Sequence, residues 1–148
     1  MLNPITWLLV ADASKARIFS FVKAKFLQTD GLSGLTVVDE SIHNESRLKN
    51  ADLVSDRAGD FNHSSFNQDT APKHLEAAHY AELLMKNLSH HYQQQAFRDC
   101  ILIAPPAFMG LLKQHMPQQL QKAIIDCIEK DYTRMQDKQL AAMLMEYL

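Results

Sequence analysis

The run from Ile5 to Ala11, with sequence ITWLLVA, is the feature that most restricts the possible folds of this chain. It contains no charged residue, and its length suits a β-strand that is buried on both faces. The run from Asp99 to Ala104 (DCILIA) has the same character. It stops at Pro105 and Pro106, because proline cannot donate to a strand ladder. Two such strands predict an α/β protein.

Three more strands are predicted beside these two. They run from Arg17 to Val22, from Leu35 to Ser41 and from Ile124 to Ile128. The residues Asp30 and Gly31 form a strong hairpin signal ahead of the Leu35 strand. The first third of the chain is therefore predicted to be a three-stranded antiparallel meander.

Helical periodicity appears at three places in the second half of the chain. The first helix is predicted from about His74 to His91, and its solvent face holds Glu76, His79, Glu82 and Lys86. A second helix begins at Pro106, and Pro117 ends or kinks it. A last helix follows the segment from Thr133 to Gln136, which matches a capping box.

The segment between Ile42 and His74 lacks any apolar periodicity, and we expect a long polar loop there. Loops of this length in small domains are usually functional or disordered. The element order is then βββ-loop-αβαβα, in which helical crossovers imply parallel strands. This order predicts a ribonuclease H-like, three-layer α/β fold with a mixed five-stranded sheet. The length of 148 residues suits a single domain, 1–148.

Composition excludes several functional classes. The formal net charge of −2 does not favour indiscriminate binding to nucleic acid, although a local basic patch remains open. No apolar run is long enough to span a membrane and no targeting signal is present, so a cytoplasmic location is expected. Cys100 and Cys127 stand inside apolar runs without Cys-x-x-Cys spacing, which predicts buried thiols.

Catalytic chemistry has little support in the sequence. A two-metal nuclease needs converging carboxylates, and the fourth strand ends without one. Asp12 follows the first strand, but it is more simply a turn residue. The histidines His43, His63, His74 and His79 lack the spacing of helical metal ligands and are interpreted as surface residues. No catalytic residue, metal or cofactor is predicted.

Within the polar segment, Arg57 lies in a turn-like Arg-Ala-Gly sequence. It could contact a phosphate or a carboxylate of a ligand. It could equally pair with Asp56 or Asp60, and the sequence leaves both alternatives open.

Four ordered segments carry a resemblance to a known family. They are Thr6 to Phe19, Asp52 to Gly59, Ile101 to Leu112 and Lys130 to Thr133. Together they resemble the bacterial host-attachment protein family, "protein required for attachment to host cells". That family is related to the central domain of eukaryotic and archaeal peptide release factors and of Pelota, and the resemblance implies their ribonuclease H-like architecture.

The resemblance also implies a place for the polar segment. In release factors the loop that precedes the first helix carries Gly-Gly-Gln, which serves peptidyl-tRNA hydrolysis. This chain has no Gly-Gly-Gln, and Arg57-Ala-Gly59 is the nearest glycine-containing stretch. The resemblance therefore implies binding to the ribosome or tRNA, without peptide release.

Three functional hypotheses follow. The first is a non-catalytic, translation-associated binding module. Its candidate binding residues are Lys15, Arg17, Asp56, Arg57, Gly59, His63, Lys73 and His74. The second is a hydrolase or nuclease with an unusual carboxylate set, namely Asp12, Asp56 and Glu76. The third is a protein-interaction factor that affects attachment indirectly, with Phe61 and Phe66 as anchors.

Overall fold

The apolar runs of the sequence become the centre of one open, mixed sheet. The computed structural model describes residues 4–43 and 65–148, and for residues 65–73 it describes the backbone alone. The five described strands are β1 (Thr6–Ala11), β2 (Lys15–Phe21), β3 (Thr36–Ile42), β4 (Asp99–Ile103) and β5 (Ile124–Ile128). Their order across the sheet is β3-β2-β1-β4-β5. The pairs β1–β2 and β2–β3 are antiparallel, whereas β1–β4 and β4–β5 are parallel, which confirms the predicted mixed five-stranded sheet.

Helices cover both faces of this sheet. The described helices are α1 (Lys23–Gln28), α2 (Ser65–Gln93), α3 (Pro106–Gln114), α4 (Gln118–Gln121) and α5 (Asp137–Tyr147). Alternate residues of β1 point to opposite layers, as the pleat requires. Trp7 and Leu9 pack with α2, α3 and α4, while Leu8 and Val10 pack with α1 and α5. The full burial of β1 confirms that its apolar run is a central strand.

The predicted hairpin at Asp30 and Gly31 is wrong, because helix α1 lies between β2 and β3. Phe26 of α1 is completely buried and contacts Phe21 at a centroid distance of 5.2 Å. Asp30 and Gly31 do adopt positive φ angles, of 50° and 80°. They end α1 with hydrogen bonds from the Gly31 N–H to the Phe26 carbonyl and from the Asp30 N–H to the Leu27 carbonyl. Positive φ angles serve a helix C-cap as well as a hairpin turn, so the sequence signal had two structural solutions.

Helix α2 corrects the predicted end of the polar loop. It begins at Ser65, whereas the loop was expected to last until His74. Pro72, which was expected at the start of this helix, therefore falls inside it. The prediction relied on an apolar stripe, and a stripe is needed only where a helix packs against a core. The first fully buried side chain described on α2 is Tyr80.

The last helix also begins later than its sequence signal. Gln136 is the N-cap of α5, and its backbone N–H donates to the Gln139 side chain at 3.0 Å. The predicted capping role of Thr133 is therefore wrong. Thr133 is instead buried, and its hydroxyl lies within hydrogen-bond distance of the carboxylates of Asp12 and Asp131.

The end of α2 offers a stabilising substitution. Gln95 has a φ of 64°, and the Ala96 N–H donates to the His91 carbonyl across it, which is the hydrogen bond of a Schellman cap. A side chain in the left-handed region costs roughly 1 kcal/mol, which glycine avoids. We expect Gln95→Gly to raise the free energy of unfolding by about 0.5–1 kcal/mol. Urea denaturation measures this change, and Gln94→Gly, at a position without positive φ, should give no gain.

Candidate functional site

Most of the polar side-chain contacts described below lie at one end of the sheet. The carboxyl ends of β1, β3 and β4 lie there, together with the turn that joins β1 to β2. Helix α3 also begins at this end, directly after β4. Open α/β sheets bind their ligands outside the carboxyl ends of the strands. This end is therefore the candidate site.

Asp12 organises the turn between β1 and β2. Its Oδ1 accepts hydrogen bonds from the Ser14 N–H at 2.8 Å, the Lys15 N–H at 2.8 Å and the Ser14 hydroxyl at 3.0 Å. Partial burial raises the pKa of Asp12, but these bonds and one from Thr133 lower it more, so the net pKa lies below 3.8. Asp12 is thus ionised at neutral pH and held by its own turn, as the turn interpretation expected.

Thr133 connects this turn to the segment that follows β5. Its hydroxyl lies 3.1 Å from Oδ2 of Asp12 and 2.8 Å from Oδ1 of Asp131. Because a hydroxyl has one hydrogen, it donates to one of these carboxylates at a time. The contact joins residues 121 positions apart, and no local sequence signal reveals it.

Arg17 lies in β2, and its guanidinium faces the same segment. Its Nη2 donates to the carbonyls of Met135 at 2.6 Å, Thr133 at 3.0 Å and Tyr132 at 3.4 Å. Its Nη1 lies 3.3 Å from Oδ1 of Asp137, and only 17% of the Arg17 side chain is exposed. The sequence predicted that this guanidinium contacts a ligand. Backbone carbonyls of the protein itself instead accept most of its hydrogen bonds.

A second polar cluster lies where β3 meets α2. His43 is buried, and its Nε2 lies 3.2 Å from Oε2 of Glu76. The His43 ring stacks on Tyr80 with centroids 4.5 Å apart, and the Tyr80 hydroxyl hydrogen-bonds to Ser41 at 2.7 Å. Burial is the main cause that raises the pKa of Tyr80. The ring of His79 is 6.4 Å from that of His43.

This cluster corrects two predictions. His43 was expected to be a surface histidine, but it is 6% exposed. Glu76 was expected on the solvent face of the first helix, but its side chain is 12% exposed and pairs with His43. The opposite expectation for Glu82 and Lys86 is confirmed, since they form an exposed i,i+4 pair at 2.9 Å.

An open groove lies beside the Asp12 turn, between α2 and α3. Its volume is about 690 Å³, and its walls are mostly apolar. Ala77 of α2 and Phe108 and Leu111 of α3 line it, together with Pro105. Polar side chains of Ser14, His74 and Gln114 also line it. In size the groove lies within the range of small-ligand sites.

A separate cleft of about 610 Å³ lies between β2, β3 and the segment before α5. Lys15 and Arg17 line this cleft, whereas His74 lines the groove between α2 and α3. The structure therefore does not gather these three candidate residues in one cavity. The side chain of Lys73 lies outside the described part of the chain, as do Asp56, Arg57, Gly59 and His63.

Among the residues that the structure describes, no group of three or more histidine, cysteine, aspartate or glutamate side chains could hold a metal ion. Cys100 is completely buried, and burial raises the pKa of its thiol. Cys127 is only half-buried, which corrects the expectation that both thiols are fully enclosed. Burial is the main cause that raises its pKa as well.

The comparison with protein families gives a match over most of the chain. The model of the family described as "Protein required for attachment to host cells" matches residues 7–144. The chain belongs to this host-attachment family. The matched range extends from β1 into α5, so the groove, the cleft and both polar clusters lie within the family domain. A comparison with curated proteins gave no significant match.

Two residues that line the groove of this host-attachment protein were not predicted as site residues. They are Gly110 and Gln114, although Pro105 and Pro106 marked the carboxyl end of a central strand. A glycine inside the helix that follows such a strand indicates a candidate site. Glycine weakens a helix, so its presence there is explained where another group approaches the helix closely. Thr133 was predicted only as a helix cap.

No described helix is long and apolar enough to cross a membrane.

Proposed function

We propose that this host-attachment protein is a non-catalytic binding module that acts on the translation apparatus, through ribosome, tRNA or RNA. Its effect on attachment to host cells would then be indirect. The proposed architecture is ribonuclease H-like, related to the central domain of release factors and Pelota. The strand order β3-β2-β1-β4-β5 and the helices on both faces of the sheet support that assignment.

The observation that carries the binding role is the state of Asp12. Asp12 follows the first strand, which is one of the positions where a nuclease of this topology needs a metal ligand. Three hydrogen bonds from its own turn and one from Thr133 occupy it. Glu76, the second candidate carboxylate, is paired with His43. Carboxylates that hold the fold together are not available as catalytic groups. Their state therefore favours a protein that recognises a ligand over one that reacts with it.

The resemblance supports the translation apparatus as the target. By the resemblance, the segment between β3 and α2 would correspond to the one that carries Gly-Gly-Gln in release factors, and this chain has Arg57-Ala-Gly59 there instead. A ligand-binding loop without the hydrolytic motif suits binding without peptide release. Lys15 lies at the same end of the sheet, because it pairs with Ile42 at the end of β3.

Co-sedimentation with ribosomes tests this proposal. We expect association at low salt that declines as salt rises, because phosphate contacts release counterions. Lys15→Ala should weaken the association and reduce the slope against log salt concentration by about one. The matched control is Lys122→Ala, an exposed lysine just before β5, at the opposite end of the sheet. An absence of association at low salt would refute the proposal.

A further inference from the structure

We propose that the groove between α2 and α3 binds a single unstacked nucleobase. This inference rests on the proposed function, because it names the part of the RNA that the groove would recognise. Proteins that read single-stranded RNA hold unpaired bases by contact with their faces and by hydrogen bonds to their edges. The groove supplies both kinds of contact.

The walls of the groove suit the faces of a flat ring. Ala77 on α2 faces the groove from one side, and Phe108 and Leu111 on α3 face it from the other. A volume of about 690 Å³ leaves room for a base and part of its ribose, whereas it is small for a folded element of a partner. Apolar contact with both faces of a base removes that surface from water.

Gly110 stands on the wall of the groove without a side chain. It stands inside α3, where glycine costs about 1 kcal/mol relative to alanine. A Cβ built at Gly110 would meet no atom within 4 Å, so internal packing does not require glycine there. Ala13 and Ala107 are further small residues on the lining. A group that approaches the helix closely from outside accounts for the missing side chain.

The polar groups of the groove suit the edge of a base. Gln114 offers an amide that can both donate and accept, and the His74 ring can also do both. Asp12 also lines the groove, but the hydrogen bonds of its own turn hold its carboxylate, so the edge contacts come from Gln114 and His74. None of the described lining residues is lysine or arginine, so that part of the lining offers no permanent cation to a phosphate or a carboxylate. An aliphatic chain would form no hydrogen bond with Gln114 and His74, which are exposed along the groove.

Titration of the isotope-labelled full chain with the four uncharged ribonucleosides, followed by NMR, tests the inference. We expect saturable shifts of the Ala77, Gly110 and Leu111 amides for at least one nucleoside. Gly110→Leu should weaken that binding at least about tenfold, because the leucine side chain fills the hydrophobic groove. Lys113→Leu adds the same side chain on α3 outside the groove and should leave the affinity unchanged. Thermal melting of both variants establishes that they are folded.

The outcomes separate this inference from the proposed function. Absence of nucleoside shifts, or equal binding by Gly110→Leu, overturns the inference, while ribosome association of the unaltered protein would still support the function. Binding of N-acetyl-tyrosinamide in preference to every nucleoside also overturns it and indicates a peptide ligand. Nucleoside binding without ribosome association overturns the proposed function and leaves the groove as a base-binding site.

Discussion

Arg17→Ala is expected to lower the free energy of unfolding by about 3 kcal/mol. The guanidinium donates to the carbonyls of Thr133 and Met135 and, at a longer distance, to that of Tyr132. Alanine leaves these partly buried acceptors without a donor, and hydrogen bonds to charged groups are worth about 1.5–3 kcal/mol each. The ion pair with Asp137 adds little, because 54% of the Asp137 side chain is exposed.

Urea denaturation followed by circular dichroism measures this loss. Lys15→Ala is the matched control, since Lys15 is the neighbouring basic residue of β2 on the same cleft, and it should change stability by at most about 0.5 kcal/mol. Arg17→Lys should recover only part of the loss, because an ammonium group does not reproduce the planar fork of the guanidinium. A loss below about 1 kcal/mol for Arg17→Ala would contradict the structural role.

This result also decides how Arg17 is interpreted. The sequence proposed it as a residue that contacts a ligand, and that role stays a prediction. If Arg17→Ala lowers ribosome association only in proportion to the fraction of unfolded protein, its role is to hold the segment before α5. If a fully folded Arg17→Lys variant loses association, the guanidinium also contacts the ligand.

His43→Ala is expected to lower the free energy of unfolding by about 2–4 kcal/mol. The substitution removes a buried ring that stacks on Tyr80 at 4.5 Å and leaves a cavity beside it. It also removes the imidazole that lies 3.2 Å from the carboxylate of Glu76. Removal of one partner from a buried pair is strongly unfavourable, because the other stays in a poorly solvated place.

The same denaturation experiment checks this prediction, with His79→Ala as the control. His79 is an exposed histidine on α2, and its loss should change stability by no more than about 0.5 kcal/mol. Equal effects of the two substitutions would show that His43 is not part of the core. A double-mutant cycle with Glu76→Gln then separates the contribution of the pair from that of ring burial.

The central strands β1 and β4 could be predicted from the sequence because burial on both faces leaves a direct mark, and their apolar runs gave their bounds to within a residue or two. The edge strand β5, of which only Ile128 is buried, was also predicted at Ile124 to Ile128. The stripe of Ala77, Ala81, Leu84 and Leu88 at helical spacing likewise predicted one buried face of helix α2, and all of these but the half-buried Ala77 are buried. The parallel pairing of β4 with its neighbours followed from crossover connections that contain helices.

Some sequence signals are compatible with two local structures, and the sequence alone could not decide between them. Asp30 and Gly31 favour positive φ angles in a hairpin or in a helix cap, and only the burial of Phe26 selects the helix. Thr133 matched a capping box, but its hydroxyl lies within hydrogen-bond distance of Asp131 nearby and of Asp12 in a distant turn. In both cases a contact that the local signal does not reveal decided the outcome.

By itself, the sequence determined the layers of this host-attachment protein: which strands are central, which helical faces are buried and where proline ends an element. The tertiary structure alone decided which polar side chains form long-range hydrogen bonds within the protein. Arg17 was a candidate ligand contact in the sequence, yet its guanidinium is held by carbonyls more than 100 positions away. The reason is physical: apolar burial follows from local periodicity, whereas a hydrogen bond between distant residues exists only once the chain has folded.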